Sequence, residues 1–380
     1  MNTSLQDFDI ADARVSVLLA PVSDGTAMSF STLSRRAMVL LELETHSGLT
    51  GMGESWVNFP EWAPVERVAT LTRGVLPLLI GKDSRKIQRL HDKMINSLEP
   101  IGRQWGAPGP IMQAISAADI ALWDLLAKTE KKSISELIGS RCRDSIEIYA
   151  SSLGPTGVKA QGRLCTSLSY KSIKVKLGFG HTKDERTLAT AREVCGQDTT
   201  LYADANQGWS LSQALEMAPL LHKYNVAWIE EPIRGNKLKD LESFYSAADL
   251  PVATGENLYS YEEFVPYISS PAVKIIQPDL TKAGGFTEVI SICKLAEAEE
   301  KIVIPHFYGG AVGFAATLQL AASSRSISSI EYDIRENPLR DSLMINPPTP
   351  VNGFISIPAE PGLGINLDPQ TLSKYQIDRK

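Results

Sequence analysis

Asp204, Glu230 and Glu256 each close a short β-type run and follow one another at equal intervals of 26 residues. Such an interval holds one strand, one helix and two loops, so the three carboxylates belong at the ends of successive strands of a parallel α/β barrel. Three carboxylates at one barrel end repel one another unless a hard divalent cation lies between them. A ligand set made only of oxygen, with no Cys or His, favours Mg²⁺ over zinc. Lys174-Val175-Lys176 ends another run, and strand alternation turns both lysines inward and Val175 outward. Mutual repulsion and partial desolvation are expected to lower at least one lysine pKa, as a general base requires. Asp279 and His306 end two later runs, 27 residues apart. On neighbouring strands they come within hydrogen-bond reach, where the Asp would fix the ring tautomer of the His. Glu331 ends the last run. Lys176 and His306 then stand on opposite sides of the carboxylate triad, one base for each face of a bound substrate.

The elements that must carry these residues alternate from about residue 145 onward. SIEIYAS, SIKVKL, TLYADAN, VAWIEEP, PVATGE, VKIIQPD, KIVIPHF and SISSIEYD are eight β-branched runs separated by amphipathic helical segments, the grammar of a (β/α) barrel. The first part reads differently. DARVSVLLAPV and RAMVLLELETHSGLTGMGES predict strands, the second a hairpin turning at His46-Ser47-Gly48. Helices are expected at about 62–79, about 84–97 and from Pro110, where Ile111, Ala114, Ile115, Ala118, Leu122, Leu125 and Leu126 share one face. The expected fold class is therefore α/β, a modified (β/α)8 TIM barrel of (β/α)7β type with an N-terminal α+β capping domain. The expected domains are residues 1–130 for the cap, completed by the tail 355–380, and 131–354 for the barrel.

The chain has 380 residues, 43% hydrophobic and 22% charged, the balance of an ordinary globular protein. A net charge of −6 with no Lys/Arg run argues against a nucleic-acid partner. Cys142, Cys165, Cys195 and Cys293 lack CxxC or paired spacing and read as reduced thiols. The first residues lack the basic segment of a secretory signal, and no apolar stretch approaches 18 residues, so no membrane span is expected. A cytoplasmic location is the expectation.

Several residues have structural readings. Asp119 and Asp124 lie in a cap helix, and YGGAVGF (308–314) lacks both GxGxxG and the Walker lysine, so it reads as a tight turn into a helix N-terminus. Glu231 neighbours a ligand, but alternation points it away from the metal. Residues 23–36 and 55–64 are the candidate cap loops over the barrel mouth, with Arg103 and Trp105 on a further turn. Arg36 and Arg103 could hold a second carboxylate of a diacid sugar.

Over essentially its whole length the chain resembles the mandelate racemase subgroup of the enolase superfamily. The matching motifs are KVK (174–176), DAN (204–206), IEEP (229–232), TGEN (254–257), PDLTKAGG (278–285), PHFYG (305–309) and the cap helix ISAADIALWDLLAK (115–128). The resemblance implies Asp204, Glu230 and Glu256 as Mg²⁺ ligands, Lys176 as one acid/base, and His306 with Asp279 as the other. Lys174, Glu331 and Asn206 would bind the substrate, with Lys174 at its carboxylate and Glu331 at the enolate oxygen. Cycloisomerases and dipeptide epimerases of the muconate type carry a lysine where this chain has Asp279, so those reactions are set aside. The implied activity is a Mg²⁺-dependent acid sugar dehydratase working through a metal-stabilised enediolate. A 2-hydroxy acid racemase or epimerase using the same two bases is the alternative. The partner is a small-molecule carboxylate, and members commonly assemble as dimers or octamers, so a homo-oligomer is expected.

Overall fold

The computed structural model describes residues 5–22, 25–139 and 141–379. In chain order its strands are β1 (Ile10–Pro21), β2 (Ala27–Met28), β3 (Ser31–Thr32), β4 (Arg35–Thr45), β5 (Thr50–Ser55), β6 (Ser145–Leu153), β7 (Ser172–Lys176), β8 (Thr200–Asp204), β9 (Val226–Glu230), β10 (Val252–Thr254), β11 (Val273–Ile276), β12 (Ile302–Val303), β13 (Ile330–Asp333), β14 (Phe354–Ser356) and β15 (Gln376–Arg379).

The eight β-branched runs are β6 to β13, which pair in the order β12-β11-β10-β9-β8-β7-β6-β13, with every neighbour in that path parallel. The ring closes where the Val303 N–H donates to Ser326 O at 3.0 Å, beside a parallel bridge from Val303 to Ile327. Seven helices, from Val158–Ser167 to Ala311–Ser323, fill the crossovers, which is the (β/α)7β form. Helices cover one face and the barrel interior the other, so a strand such as β7 is buried at every residue.

Register sets the height of each inward side chain. Lys176 lies opposite Asp204, and Asp204 opposite Glu230, while Lys174 lies opposite Tyr202 one pleat lower. The lower layer is aromatic: Tyr202 stacks on Trp228 at 4.2 Å between centroids, and Tyr149 meets Tyr202 edge-on at 5.5 Å. Charged groups above this floor therefore have protein, not water, beneath them.

The cap sheet is antiparallel in the order β15-β1-β4-β5. The tail leaves the barrel through β14, which pairs with β6, and ends as β15 on the edge of β1. Ala63–Thr70 continues through a π-turn at Leu71–Val75 into Leu76–Leu79, and a second helix spans Ile87–Trp105, longer than expected. The third helix starts at Pro108 rather than Pro110 and runs to Thr129. By length and hydropathy it could cross a membrane, contrary to the expectation that no apolar stretch is long enough, but 83% of its apolar window is buried within the protein. One side takes the β4–β5 hairpin and the other the barrel helix Gly285–Ala298, where Trp123 Nε1 donates to Thr287 Oγ1 at 3.1 Å. Burial on both sides explains why its apolar residues are not confined to one stripe.

Gly51 and Gly53 allow the close approach on the sheet side, since a Cβ at either would collide with the backbone carbonyl of Ala121 or Ala117. Gly53→Ala should cost about 1–3 kcal/mol through overpacking, seen as a lower urea midpoint. Gly74→Ala, where a Cβ would make ordinary contacts with Leu98, should leave the midpoint near that of the unmodified chain. Equal midpoints for the two variants would refute the packing explanation.

Candidate active site

Period-2 alternation brings Lys174 and Lys176 inward from β7, Asp204 from β8 and Glu230 from β9; the turns after β8, β10, β11 and β12 add Asn206, Glu256, Asp279 and His306, and β13 itself carries Glu331. Lys174 Nζ contacts Glu230 Oε2 at 2.6 Å and Glu331 Oε1 at 2.9 Å, and donates to Tyr149 Oη at 3.3 Å. Lys176 Nζ donates to Asp204 Oδ2 at 2.5 Å and to Asn206 Oδ1 at 3.1 Å. His306 Nδ1 lies 2.7 Å from Asp279 Oδ2, and its Nε2 lies 2.7 Å from Glu256 Oε2 and 4.0 Å from Glu331 Oε2. Asp279 is itself fixed, its Oδ1 accepting from the Thr281 N–H at 2.7 Å and from Thr281 Oγ1 at 2.6 Å. These contacts form two networks, Lys176 with Asp204 and Asn206, and a second that holds the other site residues, side by side where Asp204 pairs in register with Glu230.

A cavity of about 710 Å³ opens onto it. Lys176, Asn206, Glu256, His306 and Glu331 line its wall, whereas Asp204 and Glu230 are fully buried and lie outside the lining set. The cap loops cover the mouth as expected. Phe30 and Phe59 meet edge-on at 5.4 Å, Ser29 Oγ donates to Asn206 O at 3.0 Å, and Asn58 Nδ2 donates to Tyr308 O at 2.6 Å. Within the first candidate loop, Ser23 and Asp24 lie outside the described residues.

The electrostatics correct one expectation. Burial pushes both lysines down, but the carboxylates outweigh it: Glu230 and Glu331 hold Lys174 well above its usual value, and Asp204 holds Lys176 up. Neither lysine is lowered. Burial also works against charged His306, yet Glu256 and Asp279 raise it to about 10. Burial raises Glu331, but Lys174, His306 and Lys176 prevail and bring it to about 2. For Glu230 burial wins over Lys174, and with Asp204, Glu331 and Glu256 nearby it rises to about 7.

Asp204, Glu230 and Glu256 come from adjacent strands, but each has turned onto a cation: Lys176, Lys174 and His306 respectively. Among the described residues no three acidic, His or Cys side chains converge on a single metal-sized point. The donor set nonetheless fits a hard cation. It is all oxygen, its members are mutually close enough to raise Glu230, and Glu230 Oε1 is buried with no hydrogen-bond partner.

Two further residues, Glu231 and Lys282, belong to the wall. Alternation ends at Glu230, because Glu231 takes a left-handed φ of 36°. Its carboxylate therefore stays on the mouth side, where Asn257 Nδ2 and Gln207 Nε2 both donate to it at 2.9 Å. Lys282 lies off the strand, but the chain turns after Asp279, whose carbonyl accepts from the Lys282 and Ala283 N–H groups. One turn brings Lys282 back over the same end of the barrel, where Nζ donates to Asn257 Oδ1 at 3.1 Å and sits 4.5 Å from the Trp56 ring centroid. Leu280-Thr281-Lys282, directly after Asp279 in the turn that follows β11, was the available signal. Gln277, which donates to Glu230 Oε2 at 2.8 Å, was also missed.

Arg36 and Arg103 do not reach the cavity. Arg36 is buried against Asp333 at 2.5 Å, and Arg103 is spent on Glu99 at the exposed end of its helix. Asp119 and Asp124 are structural: Asp119 accepts from the Thr287 N–H, and Asp124 from the N–H groups of Met52 and Leu363. The YGGAVGF turn enters the helix Ala311–Ser323, and its glycines surround the protein's own Glu54 carboxylate. Gly310 and Gly313 N–H groups donate to it at 2.6 and 2.7 Å, and a Cβ at Gly309, Gly310 or Gly313 would press on its oxygens.

Comparison with known proteins decides the family. Residues 157–371 match the enolase C-terminal domain-like model, and residues 13–139 match the mandelate racemase/muconate lactonizing enzyme N-terminal domain. The chain belongs to the enolase superfamily, in its mandelate racemase subgroup. Superfamily relatives include a D-galactarolactone cycloisomerase of Agrobacterium fabrum, 32% identical over 90% of this chain and 92% of that one. An arabinonate dehydratase of Saccharolobus solfataricus is 30% identical over 92% and 94%. Among solved structures, a mandelate racemase/muconate lactonizing enzyme from Bordetella bronchiseptica superposes with a TM-score of 0.88 at 30% identity, covering 97% and 99%. The chain is an enzyme of this superfamily.

Glu54 ties the cap to the loop that carries His306, and it titrates. Burial raises it to about 7 against the pull of the Gly310 and Gly313 N–H groups, with Asp279 adding to the rise. Below about pH 4.5 folded and unfolded chains both hold this proton; between there and pH 7 only the unfolded chain releases it. Its contribution to stability is therefore lost as pH rises through that window, by on the order of 3 kcal/mol at most. Glu54→Gln should gain stability relative to the parent between pH 5 and pH 8, read from urea midpoints. An unchanged difference at the two pH values would show that Glu54 is already ionised at pH 5.

Proposed function

We propose that the protein is an acid sugar dehydratase. It removes the proton α to a carboxylate and expels the β-hydroxyl as water, giving a 2-keto-3-deoxy acid. The observation that carries the reading is a pair of locked proton-transfer groups in one cavity. His306 is held by Asp279 on one flank, and Lys176 by Asp204 and Asn206 on the other.

Asp204, Glu230 and Glu256 would hold Mg²⁺. A cation there would act as a Lewis acid on the substrate carboxylate and so would acidify the neighbouring C–H bond. Lys176 or His306, in its neutral form, takes the α-proton, and the C–H electron pair passes into the carboxylate to give an enediolate. Lys174 offers a fixed positive charge to that anion, held in place by Glu230, Glu331 and Tyr149. Collapse of the enediolate pushes out the β-hydroxyl, which leaves with a proton from the group on the other flank, and the resulting enol tautomerises. Asp279 keeps the Nδ1 proton in place, so Nε2 is the atom that exchanges protons with substrate. The Phe30 and Phe59 loops cover the mouth and limit water. In this division of labour residues 131–354 supply the chemistry, and residues 1–130 with the tail 355–380 supply the cover.

The relative named as an arabinonate dehydratase supports elimination as the outcome. Racemisation or epimerisation is the second reading, favoured by the same observation, because bases on both flanks allow reprotonation from the opposite face. Cycloisomerisation returns as a possible outcome through the relative so named and through Lys282, a cation on the cavity wall.

The test is incubation with Mg²⁺ and a panel of mono- and diacid sugars in D₂O, following keto acid and α-deuterium together. Keto acid that disappears on chelation and returns with Mg²⁺ is the expected result. Exchange with inversion and no keto acid would replace elimination by racemisation. Lys176→Ala and His306→Asn should each lower kcat by about 10²–10⁴-fold while Mg²⁺ binding by calorimetry persists. Full activity in both variants would mean that other groups move the protons.

A further inference from the structure

Four cationic side chains line the cavity: Lys176, Arg234, Lys282 and His306. Three of them have polar or ionic partners within the protein. Lys176 is on Asp204, His306 on Asp279 and Glu256, and Lys282 on Asn257 with the Trp56 ring beneath it. Arg234 differs. It is exposed, and among the described residues its guanidinium has no hydrogen-bond or ion-pair partner.

Its backbone, by contrast, is held on both sides. The Arg234 N–H donates to Trp209 O at 2.8 Å, the Trp209 N–H donates to Pro232 O, and the Gly235 N–H donates to Gln207 Oε1 at 3.1 Å. The next residue, Asn236, is buried with its N–H on Ile233 O. The two turns that clamp each other here contain Asn206, Gln207, Glu231 and Asn236, all non-glycine residues with φ between 36° and 58°. Left-handed backbone at four such residues costs free energy, and it persists where the surrounding structure requires that geometry. The outcome is an unpaired guanidinium on a fixed base: capturing an anion orders the side chain alone and requires no ordering of the backbone.

Position gives the anion its place. Arg234 lies four residues past Glu230, so their Cα atoms are within about 14 Å of each other, less wherever the chain turns. A six-carbon chain spans roughly 6 Å between its terminal carbons, so one small ligand can reach from the strand-end carboxylates to Arg234. A monoacid held by its carboxylate at the strand ends would offer Arg234 only hydroxyls. A planar fork of donors matches a second carboxylate.

We propose that Arg234 binds the far carboxylate of the substrate and makes this enzyme selective for diacid sugars over the matching monoacids. The inference rests on the dehydratase reading for the orientation of the ligand, with the near carboxylate at the strand ends. It replaces Arg36 and Arg103, the two arginines suggested by their place in the candidate cap loop and the turn beside it.

The test compares matched pairs, galactarate with galactonate and glucarate with gluconate, on the Mg²⁺-loaded protein. Affinity is read by calorimetry, and α-deuterium exchange is read in parallel. The unmodified protein should bind at least one diacid ten times or more tighter than its monoacid. Arg234→Gln should reduce that ratio at least tenfold, and Arg234→Lys, which keeps the charge without the fork, should restore part of it. Monoacids bound as tightly as diacids, or a ratio that Arg234→Gln leaves alone, would overturn the assignment. The exchange measurement keeps the two proposals apart. If the unmodified protein exchanges no α-proton in any ligand, the dehydratase reading fails, while the affinity ratio still decides the role of Arg234.

Discussion

The structure depends on a balance of buried charge at the C-terminal end of the barrel. Lys174, 1% exposed, sits between Glu230 and Glu331, and neither glutamate side chain is more than 3% exposed. A charge taken out of water costs several kcal/mol unless opposite charge and hydrogen bonds replace the solvent. Here Lys174, Lys176 and His306 each meet a carboxylate, and carboxylate in surplus is raised or left with an open oxygen. Glu230 is both: it is shifted to about 7, and its Oε1 has no partner. The excess of acids over lysines is the electrostatic case for a divalent cation among Asp204, Glu230 and Glu256.

Keeping that balance dry and ordered occupies most of the remaining structure. The aromatic layer of Tyr149, Tyr202 and Trp228 closes the barrel from below, and the Tyr149 hydroxyl reaches up to Lys174. The cap closes it from above and is fastened by polar contacts that cross from cap to barrel. Ser29 reaches Asn206, Asn58 reaches Tyr308, and the Glu54 carboxylate sits in the glycine turn that follows His306. Displacing the cap would strip Glu54 from the Gly310 and Gly313 N–H groups, so the His306 loop and the lid share their stability.

Much of the site was legible because a strand alternates with period 2 and a barrel repeats its unit. Inward-pointing Lys174, Lys176, Asp204 and Glu230 follow from those two periods alone, as does the flanking of the triad by Lys176 and His306. Legibility ended where the strands did. Glu231 was placed outside the site on an alternation that its φ of 36° had already ended. Lys282, three residues past Asp279 and off the strand, was given no role, although the turn after Asp279 returns it to the wall. Arg36 and Arg103 were placed near the substrate from loop proximity, and ion pairs elsewhere had claimed both.

The amino-acid sequence by itself determined which residues could share a barrel end, because strand period and repeat length are local properties of the backbone. It also determined the family, through motifs spaced by that repeat. The sign of the lysine shifts, the turning of each triad carboxylate onto a neighbouring cation, the Glu54 contact across the cap and the isolation of Arg234 were decided only by tertiary structure. Each depends on distances between groups far apart in the chain, and a Coulomb or desolvation energy is set by those distances and by what excludes the water between them.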